Sequence, residues 1–147
     1  MSKKVSKPWD VFESDVAEMF GGKVVKGSGR ADQHKGDVIT PRFLIECKSS
    51  GKPTYYVKDE LVHKIAMEAM NRQRDWLFCV RVAGTDWCLF SPLIAPTLFE
   101  SYPAQYAGKS FAVKKGGMES MVTFESGRRA LMLTMEHARE VLVDGDE

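Results

Sequence analysis

The chain has 147 residues, a formal net charge of +1, 44% hydrophobic residues and 28% charged residues. These values exclude a disordered or fibrous chain and suit one globular domain built around one core. No apolar run is long enough to cross a bilayer, and no signal-peptide core follows the basic start, so the expectation is a cytoplasmic protein with no membrane partner.

Residues 8–20 predict a helix. Trp9, Phe12, Val16, Met19 and Phe20 fall on one stripe at helical spacing, Pro8 suits the start and Gly21-Gly22 the stop. Residues 23–26 suit a short strand. Residues 27–36 form a polar loop containing glycines. A strand enters at Asp37, Pro41-Arg42 turns it, and residues 43–48 make a third strand, followed by a loop over 49–53. Leu61, Val62, Ile65 and Ala69 share the face of a second helix over about 58–72. Residues 76–82 and 87–90 read as strands joined by a turn at 83–86. Residues 91–108 mix prolines with apolar residues and suit a short helix. Two more strands are expected at 110–113 and 121–124, with a turn at Gly116-Gly117, and Thr134 suits the cap of a last helix reaching about Val143. This order predicts a mixed α/β domain.

Three cysteines, Cys47, Cys79 and Cys88, are widely spaced and lie in apolar runs, which predicts reduced core thiols rather than disulfides. His34, His63 and His137 are scattered and suggest no zinc site. Charge is uneven. Residues 23–58 hold eight basic and three acidic side chains, whereas the last twelve residues hold five acids and one Arg. Two of those three acids, Asp37 and Glu46, are the candidate site. A positive surface around a small acidic site suits a phosphodiester, although a solvated charged face gives the same pattern.

In a strand, alternate side chains share a face. Leu44, Glu46 and Lys48 therefore point one way, and Phe43, Ile45 and Cys47 point the other way, into the core. The short connection after Thr40 folds the Asp37 strand back beside Glu46. Paired carboxylates suit magnesium, a hard ion that takes oxygen ligands, and the Cys47 carbonyl is a further candidate ligand. Lys48 then either holds the attacking water or stabilises the phosphorane transition state. The plain alternative is a Glu46–Lys48 salt bridge on a solvated strand face. At about 100° per residue, Glu13 falls beside Trp9, Val16 and Phe20 on the core-facing stripe. An acid there needs a cation or a metal, which makes Glu13 a further candidate for the site; the alternative is a Glu at the stripe edge meeting a nearby Lys. The 26–35 loop offers Lys26, Ser28, Arg30 and Lys35 for phosphate contact, or is an ordinary surface loop. Lys52 and Lys58 follow the third strand and could hold the same DNA strand. Tyr55, Tyr56, Trp76 and Trp87 suit core or interface positions, and Glu68 a structural one.

Asp37 followed by Glu46-Cys47-Lys48 resembles the PD-(D/E)XK nuclease motif, with Gly36 where the motif's name has Pro. The chain is most similar in this respect to the archaeal-type Holliday junction resolvases and their phage relatives. Glu13 matches their N-terminal helical Glu, Ser28 their loop Ser, and Phe-Leu-Ile-Glu-Cys-Lys-Ser-Ser their third strand. The resemblance covers about residues 9–82 of a single nuclease domain, leaving 85–147 as a sheet extension, dimer surface or DNA-contact region. It implies a restriction-endonuclease-like central mixed β-sheet flanked by α-helices. It also implies Mg2+ (or Mn2+ in its place) as cofactor, and a homodimer cutting a four-way DNA junction in a prokaryotic cell or phage-infected host. A restriction-like or repair endonuclease acting on duplex DNA, and a non-catalytic DNA-binding module, share the motif or the fold.

Overall fold

A computed structural model describes residues 8–25, 36–98 and 101–144, the side chains of 8–10, 36 and 37 excepted. The chain begins with α1 (Pro8–Phe20), β1 (Lys23–Val25), β2 (Gly36–Ile39), β3 (Phe43–Ser50) and β4 (Thr54–Lys58). It continues through α2 (Asp59–Asn71), β5 (Asp75–Val82) and β6 (Thr85–Phe90). Two 3-10 turns, Pro92–Ile94 and Pro96–Leu98, lead to β7 (Ala104–Tyr106), β8 (Ser110–Lys114), β9 (Ser120–Thr123) and β10 (Arg129–Thr134). The helix α3 (Met135–Arg139) and a π-helical turn, Glu140–Asp144, follow.

Eight strands form one mixed sheet in the order β1-β2-β3-β5-β6-β10-β9-β7, and β4 pairs with β8 in a separate two-stranded ribbon. The pair β3–β5 is parallel, so the chain needs a crossover between them, and β4 with α2 provides it. Apolar side chains cover both faces of the large sheet. One face carries Val38, Ile45, Cys47, Leu77 and Cys79 beneath α1 and α3. The other carries Leu44, Phe78, Val80 and Leu89 beneath α2 and the β4–β8 ribbon. Among the described residues no helix is long and apolar enough to cross a membrane.

Local chemistry sets the critical geometry. Gly21 adopts a φ of 69°, the left-handed position that ends many helices. At Gly22 an added Cβ would lie 2.6 Å from the Ile39 carbonyl oxygen, so only glycine lets the chain pass from α1 this close to β2. The β2–β3 connection is closed by Thr40. Its hydroxyl accepts from the amides of Arg42 (3.1 Å) and Phe43 (2.8 Å), and its own amide donates to the Phe43 carbonyl at 2.9 Å. The Arg74 guanidinium donates to the Thr40 carbonyl at 2.7 Å, tying this turn to the start of β5. The β5–β6 hairpin turns on Ala83 and Gly84, both at positive φ (48° and 84°), the twist that two-residue hairpins favour.

Several expectations hold in detail. The first helix spans the residues expected, and the Thr134 hydroxyl accepts the His137 amide at 3.3 Å to cap α3. The three cysteines are reduced and buried, as expected. They stand in a row, because Cys47 is opposite Cys79 and Cys79 is opposite Cys88 in the ladders. Burial, and then the hydrogen bond with Cys88, push the Cys79 thiol well above its ordinary pKa.

Other expectations are corrected. β3 runs on to Ser50, where a loop was expected, and Thr54–Lys58 is a strand that no expectation covered. Residues 129–134 are likewise an unforeseen strand, held between β6 and β9. In place of a short helix, residues 91–108 hold the two 3-10 turns and β7. The face shared by Leu44 with Glu46 and Lys48 is no solvated face; it is a second core, in which Leu44 is 1% exposed.

Candidate functional site

The Thr40 turn fixes the ladder register so that Asp37 stands directly opposite Glu46. Directly opposed residues of an antiparallel pair belong to the same face of a sheet. Two positions along β3, Lys48 follows on that face, and its Nζ lies 3.9 Å from Glu46 Oε2. That separation is an ion pair without a direct hydrogen bond. Both side chains are mostly enclosed, Glu46 at 19% and Lys48 at 31% exposure. They follow Leu44 on the face of β3 that belongs to the layer under α2 and the ribbon, so a charged pair continues an apolar row.

The ribbon adds a residue to this neighbourhood. Tyr55 is half-buried against the same core layer as Leu44. Burial raises its pKa, and the negative charge of Glu46 raises it further. Glu46 is two positions from Leu44 on the same face of β3, so the phenol and the carboxylate share this side of the sheet. Sequence reading assigned Tyr55 to core or interface. The signal that could have placed it is the alternation in Thr-Tyr-Tyr-Val-Lys, which predicts a short strand with Tyr55 and Val57 facing inward.

Glu13 is buried, at 6% exposure, among Phe12, Val16 and Ala17. Its helix lies on the layer that covers Val38, Ile45 and Cys47, behind the face of Glu46 and Lys48. A second basic centre anchors that helix. Arg81 donates to both carboxylate oxygens of Asp86 at 2.6 and 2.8 Å and to Asp15 at 3.0 Å, and its guanidinium carbon lies 4.6 Å from the Phe12 ring centre. The bond to Asp86 is the leading cause that raises the Arg81 pKa above its already high ordinary value. Phe12 and Asp15 flank Glu13 in the helix, so Arg81 fixes the segment that carries it. Sequence reading did not single out Arg81.

Of the other candidate contacts, Lys26, Ser28, Arg30 and Lys35 lie outside the described residues. Lys52 and Lys58 are exposed, Lys52 in the β3–β4 connection and Lys58 at the end of β4. Tyr56 is 61% exposed, whereas Trp87 is 4% exposed, and the Trp87 indole N–H has no hydrogen-bond partner among the described residues.

Comparison with known protein families, with characterised proteins and with solved structures yields no significant match. The functional reading therefore rests on the residues themselves.

Proposed function

We propose that the chain is a divalent-metal-dependent DNA endonuclease that resolves four-way junctions. The observation that carries this reading is the register of β2 on β3, with Asp37 opposite Glu46 and Lys48 on the same face, 3.9 Å from the Glu46 carboxylate. Carboxylates of Asp37 and Glu46 with the Cys47 carbonyl make an all-oxygen donor set, which fits Mg2+ or Mn2+ and disfavours a soft ion. When bound, such an ion supplies Lewis acidity toward a phosphate and a more acidic water.

The chain's own groups then divide the work. Glu46 and Asp37 would hold the ion. Lys48 brings a positive charge to the same face, where negative charge grows on the phosphate oxygens in the transition state. The partial enclosure of Glu46 and Lys48 removes competing water and strengthens that charge effect. Glu13 is buried in α1, which lies on the face of the sheet opposite Glu46 and Lys48, and it is a candidate further acid of the site on its burial alone. A homodimer would present two such sites to the two-fold symmetry of a junction.

The test is cleavage of a synthetic four-way junction and of a matched linear duplex, with and without Mg2+. Paired nicks confined to the junction and dependent on the ion support the reading. Equal cutting of both substrates would move the assignment to a duplex endonuclease. Asp37→Asn and Glu46→Gln should each reduce cleavage by at least about a hundredfold while leaving junction binding near its original strength. Persistent cleavage in both variants would dismiss the site.

A further inference from the structure

The β4–β8 ribbon has two unlike faces. Its inner face, Tyr55, Val57, Phe111 and Val113, packs into the core that also holds Leu44. Its outer face carries Tyr56, Lys58 and Lys114, and Lys52, Lys109 and Lys115 flank it. All five lysines are exposed. Residues 52–58 and 108–117 contain those five lysines and no Asp or Glu. No ion pair among the described residues engages any of the five. Exposed lysines that no acid pairs are the footprint of a polyanion.

The ribbon is also a rigid support. Its ladder runs unbroken from Thr54–Lys114 to Lys58–Ser110. Backbone bonds extend it at both ends, from the Lys115 amide to the Pro53 carbonyl (3.1 Å) and from the Asp59 amide to the Lys109 carbonyl (2.8 Å). Lys58 and Lys114 are four residues apart along the ladder, about 14 Å, the axial length of about four base pairs.

We infer that the outer face of the β4–β8 ribbon is a DNA-binding platform, in which Lys52, Lys114 and Lys115 hold backbone phosphates and Tyr56 packs against the sugar-phosphate edge. The ribbon covers the layer that holds Leu44, two positions before Glu46 on the same face of β3, so it lies over the sheet face that carries the proposed cleavage site. In its direction of approach, this inference rests on the reading of Glu46 and Lys48 as a phosphodiester site. Charge also bounds the path. The ribbon ends at a groove of about 950 Å³, where Lys58 and Lys109 share the lining with Glu60 and Glu125, and Asp59 occupies Arg128 through an ion pair. A polyanion therefore finds its hold at the other end of the ribbon, at Lys52, Lys114 and Lys115. An anionic membrane is a poorer fit, because the outer face offers one exposed aromatic ring and no apolar stripe.

The experiment measures binding of a duplex arm and of a four-way junction by fluorescence anisotropy across a salt series, without divalent ion, so that cleavage plays no part. The triple variant K52Q/K114Q/K115Q should bind at least about tenfold more weakly, and its log–log salt slope should fall by about 2–3, near one per lost phosphate contact. Lys64→Gln, on α2 rather than on the ribbon, should leave the slope unchanged. Circular dichroism and a thermal melt confirm folding, and Tyr56→Ala tests the same face without altering charge, with weaker binding at an unchanged salt slope expected. An unchanged slope in the triple variant overturns the platform, whatever the cleavage assay shows. A lost slope in a protein that cuts no DNA keeps the platform and discards the endonuclease. Wild-type binding to phosphatidylserine vesicles but not to DNA would also overturn it.

Discussion

Replacing Arg81 by methionine should loosen α1 from the sheet. Arg81 makes a two-pronged bond to Asp86, a side chain only 21% exposed, and that bond should be worth about 1.5–2 kcal/mol. The contact to Asp15 adds less, about 0.5 kcal/mol, because Asp15 is 47% exposed and water screens the pair. The guanidinium over Phe12 adds about 0.5–1 kcal/mol. Methionine keeps much of the stem's packing, so the expected loss is about 2–3 kcal/mol. In a chain of this size that lowers the melting temperature by about 5–10 °C. Arg81→Lys retains charge but not the planar fork and should recover roughly half of the loss. Thermal denaturation followed by circular dichroism measures both variants. The reasoning fails if Arg81→Met melts within about 1 °C of the wild type, or if lysine restores the full value. Because Phe12 and Asp15 flank Glu13, Arg81→Met should also reduce junction cleavage at temperatures where the variant is folded.

Tyr55 should titrate above 10, its ordinary value, and Glu46→Gln should bring it only part of the way back, because burial is the larger cause. Its neutral form is favoured in the folded chain, so this contribution to stability is complete below the unfolded pKa near 10 and is lost as pH rises through the folded value. Phenolate absorbance against pH reads the shift, and added Mg2+ should lower the Tyr55 pKa by neutralising Glu46; no response to the ion would count against metal binding there. Gly22→Ala should cost about 1–3 kcal/mol, because the new Cβ meets the Ile39 carbonyl oxygen at 2.6 Å, and an unchanged melting temperature would show that α1 is free to shift. Ala83→Asn should stabilise the β5–β6 hairpin by about 0.5–1 kcal/mol, because Ala83 holds a φ of 48° that asparagine tolerates better; a lower melting temperature would contradict this.

What could be read from the chain divides along physical lines. α1, the β2–β3 hairpin and the Thr134 cap carry their signals within a few residues: a helical stripe, an alternation, a turn and a capping hydroxyl. The opposition of Asp37 to Glu46 followed from the same local logic, because the Thr40 turn sets the register. β10 was not legible, since Arg-Ala-Leu-Met-Leu holds good helix formers and becomes a strand only between β6 and β9. β4 was hidden by its neighbours, a proline-containing turn on one side and α2 on the other. The second core under α2 was not legible either, because alternation along β3 says which residues share a face but not what covers it. Tyr55 illustrates the cost: its nearness to Glu46 arises from β4 pairing with β8, more than fifty positions later in the chain.

The row formed by Cys47, Cys79 and Cys88 gives this protein an internal gauge. Each thiol is at most 4% exposed and sits at the centre of the large sheet, on three neighbouring strands. A thiol-alkylating reagent can reach them only when α1 and α3 lift from the sheet or the sheet itself parts, so the labelling rate tracks the opening free energy of this core layer rather than of the sheet edges. Since Cys47 lies between Glu46 and Lys48, an ion or a nucleic acid that clamps β2 to β3 should slow labelling at that cysteine more than at Cys88. Mass spectrometry of each cysteine-containing peptide would separate local tightening from global stabilisation without any enzymatic turnover.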